Sequence, residues 1–65
     1  MDNWVKIYET DQLFQAEMVK NTLEENGIAA VILNPRDSSY NMFGSVNVMV
    51  NVNDREKAAE IITNL

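Results

Sequence analysis

Apolar and polar residues alternate most regularly between Ser45 and Val52. Valine occupies every second position of this stretch, and serine, asparagine and methionine occupy the positions between. Because side chains of a strand point to opposite faces in turn, the pattern predicts a strand with one apolar and one mostly polar face. The apolar face is formed by Val46, Val48, Val50 and Val52. Such a strand needs a hydrophobic layer on one side only, and we interpret the rest of the chain as that layer and its flanking strands.

Two further strands are predicted from shorter patterns. The segment from Trp4 to Tyr8 alternates and is rich in residues that favour strands, with Val5 and Ile7 on one face. The other face is formed by Trp4, Lys6 and Tyr8. Residues 28–33 form a continuous apolar run after a glycine, and Pro35 ends this strand because proline has no backbone donor.

A helix is expected between the first two strands, from about Asp11 to Asn26. Thr10 or Asp11 is the expected N-cap, and Gly27 follows at the position where a left-handed residue is favoured. The face toward the sheet is predicted to contain Leu13, Ala16, Val19 and Leu23. A second, smaller apolar pair is formed by Phe14 and Met18, four residues apart.

The C-terminal residues predict a second helix. Asn53 and Glu56 have the spacing of a capping box, in which a cap residue is followed three positions later by glutamate or glutamine. Apolar residues then recur at helical spacing, at Ala58, Ile61, Ile62 and Leu65. The element order is therefore β-α-β-β-α.

This order predicts one α+β domain over residues 1–65, with a ferredoxin-like arrangement that lacks the fourth strand. A right-handed β-α-β crossover leaves room for a strand between its two parallel strands. The third strand is expected to fill that gap, antiparallel to both, in a three-stranded antiparallel or mixed sheet with the order 1-3-2. Both helices are expected on the valine face. The outer edge of the strand from Trp4 to Tyr8 then lacks an intramolecular partner, and the second face of the sheet lacks a helix.

Composition excludes several kinds of site. The 65 residues include neither cysteine nor histidine, which removes disulfides, thiolate metal sites, imidazole ligands and the commonest general base. No metal or cofactor is expected, and the serines beside Asp37 lack a base that would activate them. The carboxylates of Asp54, Glu56 and Glu60 are expected to be solvated rather than to bind a hard cation.

Charge and hydropathy bear on partners and location. The formal net charge is −5, so nucleic acid and anionic membrane surfaces are poor partners, although Trp4 and Tyr8 on an uncovered face are the kind of aromatic residues on which bases stack. No signal peptide is visible, and the longest apolar run, residues 28–33, is much shorter than a membrane span. A cytoplasmic location is expected.

Several segments together resemble a family of short bacterial domains known as putative prokaryotic signal-transducing proteins, whose function is unknown. These segments are W-V-K-I-Y, A-E-M-V-K-N-T-L-E-E-N-G-I-A-A, L-N-P-R-D-S-S-Y, F-G and N-D-R-E-K-A-A-E-I-I. The resemblance covers about Trp4 to Leu65 and implies a fold similar to that of the nitrogen regulatory PII proteins. Nucleotide binding by PII proteins uses basic residues and long loops, and it is not carried over to a chain with five basic residues.

The connection from Asn34 to Gly44 is long for a hairpin loop. It contains the candidate partner-binding residues Arg36, Asp37, Tyr40 and Phe43. One interpretation is a recognition site, because tyrosine and arginine dominate binding hot spots. The other is a compact structural cover in which aspartate and serine side chains bond their own backbone.

The predicted function is a small non-catalytic protein-interaction or regulatory module rather than an enzyme. An alternative is a small-ligand sensor that binds at the loop and the adjoining sheet end, and a third possibility is an accessory piece of a larger assembly. A homodimer through the edge from Trp4 to Tyr8 or through the open sheet face is also expected, because monomers seldom expose such surfaces.

Overall fold

The computed structural model describes residues 3–33 and 46–65. The elements in chain order are β1 (Trp4–Thr10), α1 (Leu13–Glu25), β2 (Ala30–Leu33), β3 (Val46–Asn51), a short 3-10 helix (Val52–Asp54) and α2 (Arg55–Thr63). The predicted order β-α-β-β-α is confirmed. Strand β1 is two residues longer than the alternating segment from Trp4 to Tyr8, and β2 starts two residues later than predicted.

The three strands form one sheet in the order β1-β3-β2, which confirms the predicted topology. Strand β3 is antiparallel to both neighbours. Val50 of β3, for example, pairs with Val5 of β1 and with Ala30 of β2. The ferredoxin-like plan without a fourth strand therefore describes the fold.

The core lies between the valine face of the sheet and the two helices. Val46, Val48 and Val50 have no exposed surface, as the alternation predicted. The buried residues that pack with these valines are Ala16, Val19, Leu23, Ile28, Ala30 and Ala58. Because α1 and α2 both contribute to this one cluster, both helices cover the same face of the sheet.

Gly27 ends α1 as predicted. It has a φ of 81°, and its N–H donates to the carbonyl of Glu24 at 3.0 Å. The N–H of Ile28 donates to the carbonyl of Leu23 at 2.9 Å, and both of these side chains are buried. This pair of bonds with its apolar contact is the Schellman motif, in which glycine is favoured because it lacks a Cβ.

The start of α1 differs from the prediction. The N-cap is Gln12, and no side chain forms a capping hydrogen bond there. Thr10 lies too early to cap: its hydroxyl accepts from the Gln12 N–H at 3.1 Å and donates to Gln15 Oε1 at 2.7 Å. Leu13 is 37% exposed because it is the first helical residue and lies at the side of the core stripe.

The end of the valine strand also differs. Val52 belongs to the 3-10 helix and is 42% exposed, so only three of the four valines face the core. Asn51 Oδ1 accepts from the Asn53 N–H at 2.9 Å and caps this turn, and Asp54, the N-cap of α2, forms no side-chain cap. The predicted capping box is therefore wrong. Leu65 follows the end of α2 and is 65% exposed, outside the core stripe.

A β-bulge in β1 changes which residues share a face. Lys6 pairs with Met49 and Tyr8 pairs with Val48, so the register shifts at Ile7. The extra residue turns both Ile7 and Tyr8 toward the core, against which they pack. The prediction that Tyr8 lies on the uncovered face is therefore wrong, and the aromatic pair of Trp4 and Tyr8 on that face is not formed.

Candidate functional site

The sheet face opposite the helices, called the open face below, has no helix over it in the part of the chain that the structure describes. Two rows of paired residues cross it. The first row contains Lys6, Met49 and Val31, and the second contains Glu9, Asn47 and Leu33. Trp4 and Asn51 form a further pair at one end. The open face therefore has charged residues on the β1 side and apolar residues on the β2 side.

The bulge brings the two charged residues of the open face together. The Lys6 Nζ lies 2.7 Å from Glu9 Oε1, and about half of each side chain is exposed. In a regular strand, residues three apart point to opposite faces, so this ion pair depends on the extra residue at Ile7. An exposed pair of this kind adds little to folding stability, typically below ~1 kcal/mol.

Asn47, in the middle of the second row, has an unusual environment. Its Oδ1 atom is buried and has no hydrogen-bond partner among the described residues. Leaving a buried acceptor unpaired costs about 1–3 kcal/mol, so such atoms are rare in native structures. The sequence alternation placed Asn47 on the polar face of β3 but gave no sign of this unpaired atom.

The predicted recognition residues Arg36, Asp37, Tyr40 and Phe43 lie outside the described residues, so their role stays a prediction. The structure does place Leu33 and Val46, the nearest described residues on either side of residues 34–45. Leu33 pairs with Asn47, and Val46 pairs with Thr10, so both flanks lie at the sheet end where β1 leads into α1.

A second apolar surface lies on the outer side of α1. Phe14 is 59% exposed and Met18 is 60% exposed. A helix turns about 100° per residue, so these two side chains lie on the side opposite the buried residues Ala16, Val19 and Leu23. We call Phe14 and Met18 the outer pair. The sequence predicted that they form a separate apolar pair, and the structure shows that it is exposed.

Two carboxylates lie on the same side of α1 as the outer pair. Glu17 and Glu25 are exposed on the same side of α1, and neither forms an ion pair within the described residues. Glu24, by contrast, lies 3.1 Å from Lys20. The outer surface of α1 therefore combines the apolar outer pair with two exposed negative charges.

Among residues 3–33 and 46–65, no three metal-ligating side chains are close enough to hold an ion. Asp54, Glu56 and Glu60, which the sequence placed near one another, do not form such a group. Neither α1 nor α2 is long and apolar enough to cross a membrane.

Comparisons with known proteins give one match. No curated protein and no solved structure matches the chain. A family model with the description "Putative prokaryotic signal transducing protein" matches residues 4–65, which is nearly the whole chain. The resemblance that the sequence motifs indicated is confirmed. The chain belongs to the family of putative prokaryotic signal transducing proteins.

Proposed function

We propose that this chain is a non-catalytic module that binds a protein partner in a signalling pathway of the bacterial cytoplasm. The observation that carries this proposal is the outer pair, two large apolar side chains that are each more than half exposed. The family description, which names signal transduction and no reaction, supports it.

The outer pair contributes little to the stability of the fold, but burying its exposed surface against a partner would contribute binding free energy. Fully burying an exposed phenylalanine or methionine side chain stabilises by about 1.5–3 kcal/mol. Because Phe14 and Met18 still expose 59% and 60% of their surface, most of that gain is available. Together they can supply roughly 2–3 kcal/mol, which is about 30- to 150-fold in affinity.

The charges around the outer pair specify the chemistry of the partner. Glu17 and Glu25 lie on the same side of α1 as the outer pair, and the whole chain has a net charge of −5. A surface that places lysine or arginine beside an apolar side chain is complementary to this arrangement, and opposite charges also speed the encounter. The proposed partner is therefore a protein with a basic, amphipathic segment.

The segment from Asn34 to Gly44 is proposed as a second contact, and here the support comes from its residue types alone. Tyr40 and Phe43 offer large apolar area, and Arg36 and Asp37 offer charged hydrogen bonds. The flanks of this segment and the N-terminal turn of α1 lie at the same end of the sheet. A partner that contacts α1 near Phe14 would therefore lie at the same end of the sheet as the flanks of this segment.

The test is quantitative capture of partners from a lysate of the source bacterium with the intact chain and with a Phe14→Gln, Met18→Gln variant. Glutamine keeps helix propensity, so the variant should melt close to the parent. We expect the specific basic partners to be captured at least ~10-fold less, which corresponds to ~1.4 kcal/mol. Arg36→Ala and Tyr40→Ala test the loop contact in the same assay.

Leu65→Gln is the matched control, because Leu65 is 65% exposed but lies far along the chain from α1. This control should capture the same partners as the parent. Equal capture by the parent, the outer-pair variant and the two loop variants would contradict the proposal. A small molecule that raises the melting temperature, with no partner lost in any variant, would instead favour the ligand-sensor alternative.

A further inference from the structure

The open face is complementary to itself in both charge and hydropathy. The first row reads Lys6, Met49 and Val31, and the second reads Glu9, Asn47 and Leu33. If a second copy of the face is laid on the first so that the first row of each copy lies over the second row of the other, a cation lies over an anion on the β1 side. On the β2 side, an aliphatic residue then lies over an aliphatic residue. An interface between identical chains requires this kind of pattern, because a two-fold axis pairs each residue with its counterpart reciprocally.

We infer that a second copy of this chain binds the open face, with the two sheets stacked about a two-fold axis that runs across the strands between the two rows. Lys6 of each copy lies over Glu9 of the other copy. Val31 of each copy lies over Leu33 of the other, and Met49 lies over Asn47. The ion pairs already present within each copy join into a network of four charges.

A two-fold axis parallel to the strands gives a much poorer match. That arrangement stacks β1 of one copy on β2 of the other, so Lys6 and Glu9 lie over Val31 and Leu33. Burying charged groups against aliphatic side chains without new partners is costly. The charge pattern therefore selects the axis that runs across the strands.

Pairing through the outer edge of β1 is a weaker alternative. The N–H of Val52 donates to the Asn3 carbonyl at 2.7 Å, so the backbone groups of Asn3 face β3. Because the backbone groups of an antiparallel strand point alternately toward and away from its partner, those of Trp4 and Lys6 point away from β3, at the outer edge. The bulge at Ile7 interrupts this edge directly afterwards, and Lys6 lies in the middle of it. Bulges and lysines are the features by which proteins prevent edge-to-edge pairing, so the face is the better surface.

The size of the open face predicts weak association. Three strands of the length of β3, which has six residues, would cover at most roughly 20 Å by 14 Å, or about 300 Å². Stable interfaces bury about 800 Å² on each partner. We therefore expect a weak dimer whose population rises only at high protein concentration.

Charge reversal tests the arrangement. Sedimentation equilibrium should show the mass of the parent rising from 7.4 kDa toward twice that value with concentration. Lys6→Glu and Glu9→Lys, each alone, should remain monomeric, because each places like charges opposite each other. An equimolar mixture of the two variants should associate at least as strongly as the parent, since opposite charges then meet in both pairs.

Lys20→Glu and Glu24→Lys are the matched controls, because they reverse the same charges in the α1 ion pair on the other layer of the molecule. Both controls should dimerise like the parent, and so should the outer-pair variant. A parent that is monomeric up to millimolar concentration, single variants that dimerise normally, or a mixture that stays monomeric would each overturn the inference. None of these outcomes depends on the partner proposed for α1.

Discussion

Gly27 joins α1 to β2 through a backbone conformation that few other residues adopt. Its φ of 81° lets two consecutive N–H groups, its own and that of Ile28, return to carbonyls of the last helical turn. The same turn directs Ile28 into the core, where it is 2% exposed. One residue therefore determines both the end of the helix and the direction in which the chain enters the sheet.

Gly27→Ala should destabilise the protein by about 1–2 kcal/mol, the cost of a left-handed conformation for a residue with a Cβ. Among the described residues, no heavy atom other than those of Gly27 and its two chain neighbours lies within 4 Å of the position that a Cβ would occupy, so the cost should be purely conformational. Urea unfolding measures it. Gly27→Asn should cost less, because asparagine tolerates this conformation, and equal losses for the two variants would contradict the explanation.

At the scale of elements, patterns that depend on local spacing predicted the structure well. The two-residue period of β3 predicted the buried faces of Val46, Val48 and Val50, and the glycine stop of α1 was visible in the chain. Both depend only on neighbouring residues, so a single sequence contains them. The open face and the exposed outer pair followed from the same patterns.

Features that depend on pairing between distant segments could not be predicted. The bulge at Ile7 arises from the pairing of β1 with β3, and the alternation of β1 alone places Tyr8 on the wrong face. Asn51, rather than Asn53, is the capping residue because β3 ends at Asn51, one residue before the predicted end at Val52. The environment of the Asn47 Oδ1 atom, which is buried and unpaired among the described residues, likewise depends on packing. The residue types of the segment from Asn34 to Gly44 do not predict its conformation.

Helix α1 has an unoptimised start. Gln12 occupies the N-cap without a capping side-chain bond, and the first turn contains no acidic residue. An aspartate at this position can accept a hydrogen bond from backbone N–H groups of the first turn of α1, and its negative charge interacts favourably with the positive end of the helix dipole.

Gln12→Asp should therefore stabilise the protein by about 1 kcal/mol, which a urea or thermal unfolding curve would resolve. Gln12→Ala is the control and should change stability little, because the side chain of Gln12 makes no cap bond that alanine would remove. If the aspartate variant is no more stable than the alanine variant, the start of α1 is capped in some other way.

At the scale of the whole molecule, the core of the described residues is one layer between one face of the sheet and the two helices. A chain of 65 residues typically has a folding free energy of about 3–10 kcal/mol. Few residues share that stability, because nine hydrophobic side chains make up the buried cluster of the described part. Each core valine therefore accounts for a large share of the total.

Val48→Ala should cost about 1–3 kcal/mol, since Val48 lies in the central strand with no exposed surface. Val52→Ala is the matched control, because the same atoms are removed from a side chain that is 42% exposed. The control should lose well under half as much. Similar melting temperatures for the two variants would show that the valine face is not the centre of the core.

The position of β3 between β1 and β2 also has a consequence for how the chain folds. Trp4 pairs with Asn51 and Thr10 pairs with Val46, whereas β1 and β2 do not pair with each other. During synthesis, residues 4–33 therefore emerge from the ribosome with two strands that have no partner in the sheet. The sheet can form only after β3 has been synthesised and has inserted between β1 and β2. Because folding therefore requires contacts between residues that are distant in the sequence, it should be slow for so short a chain.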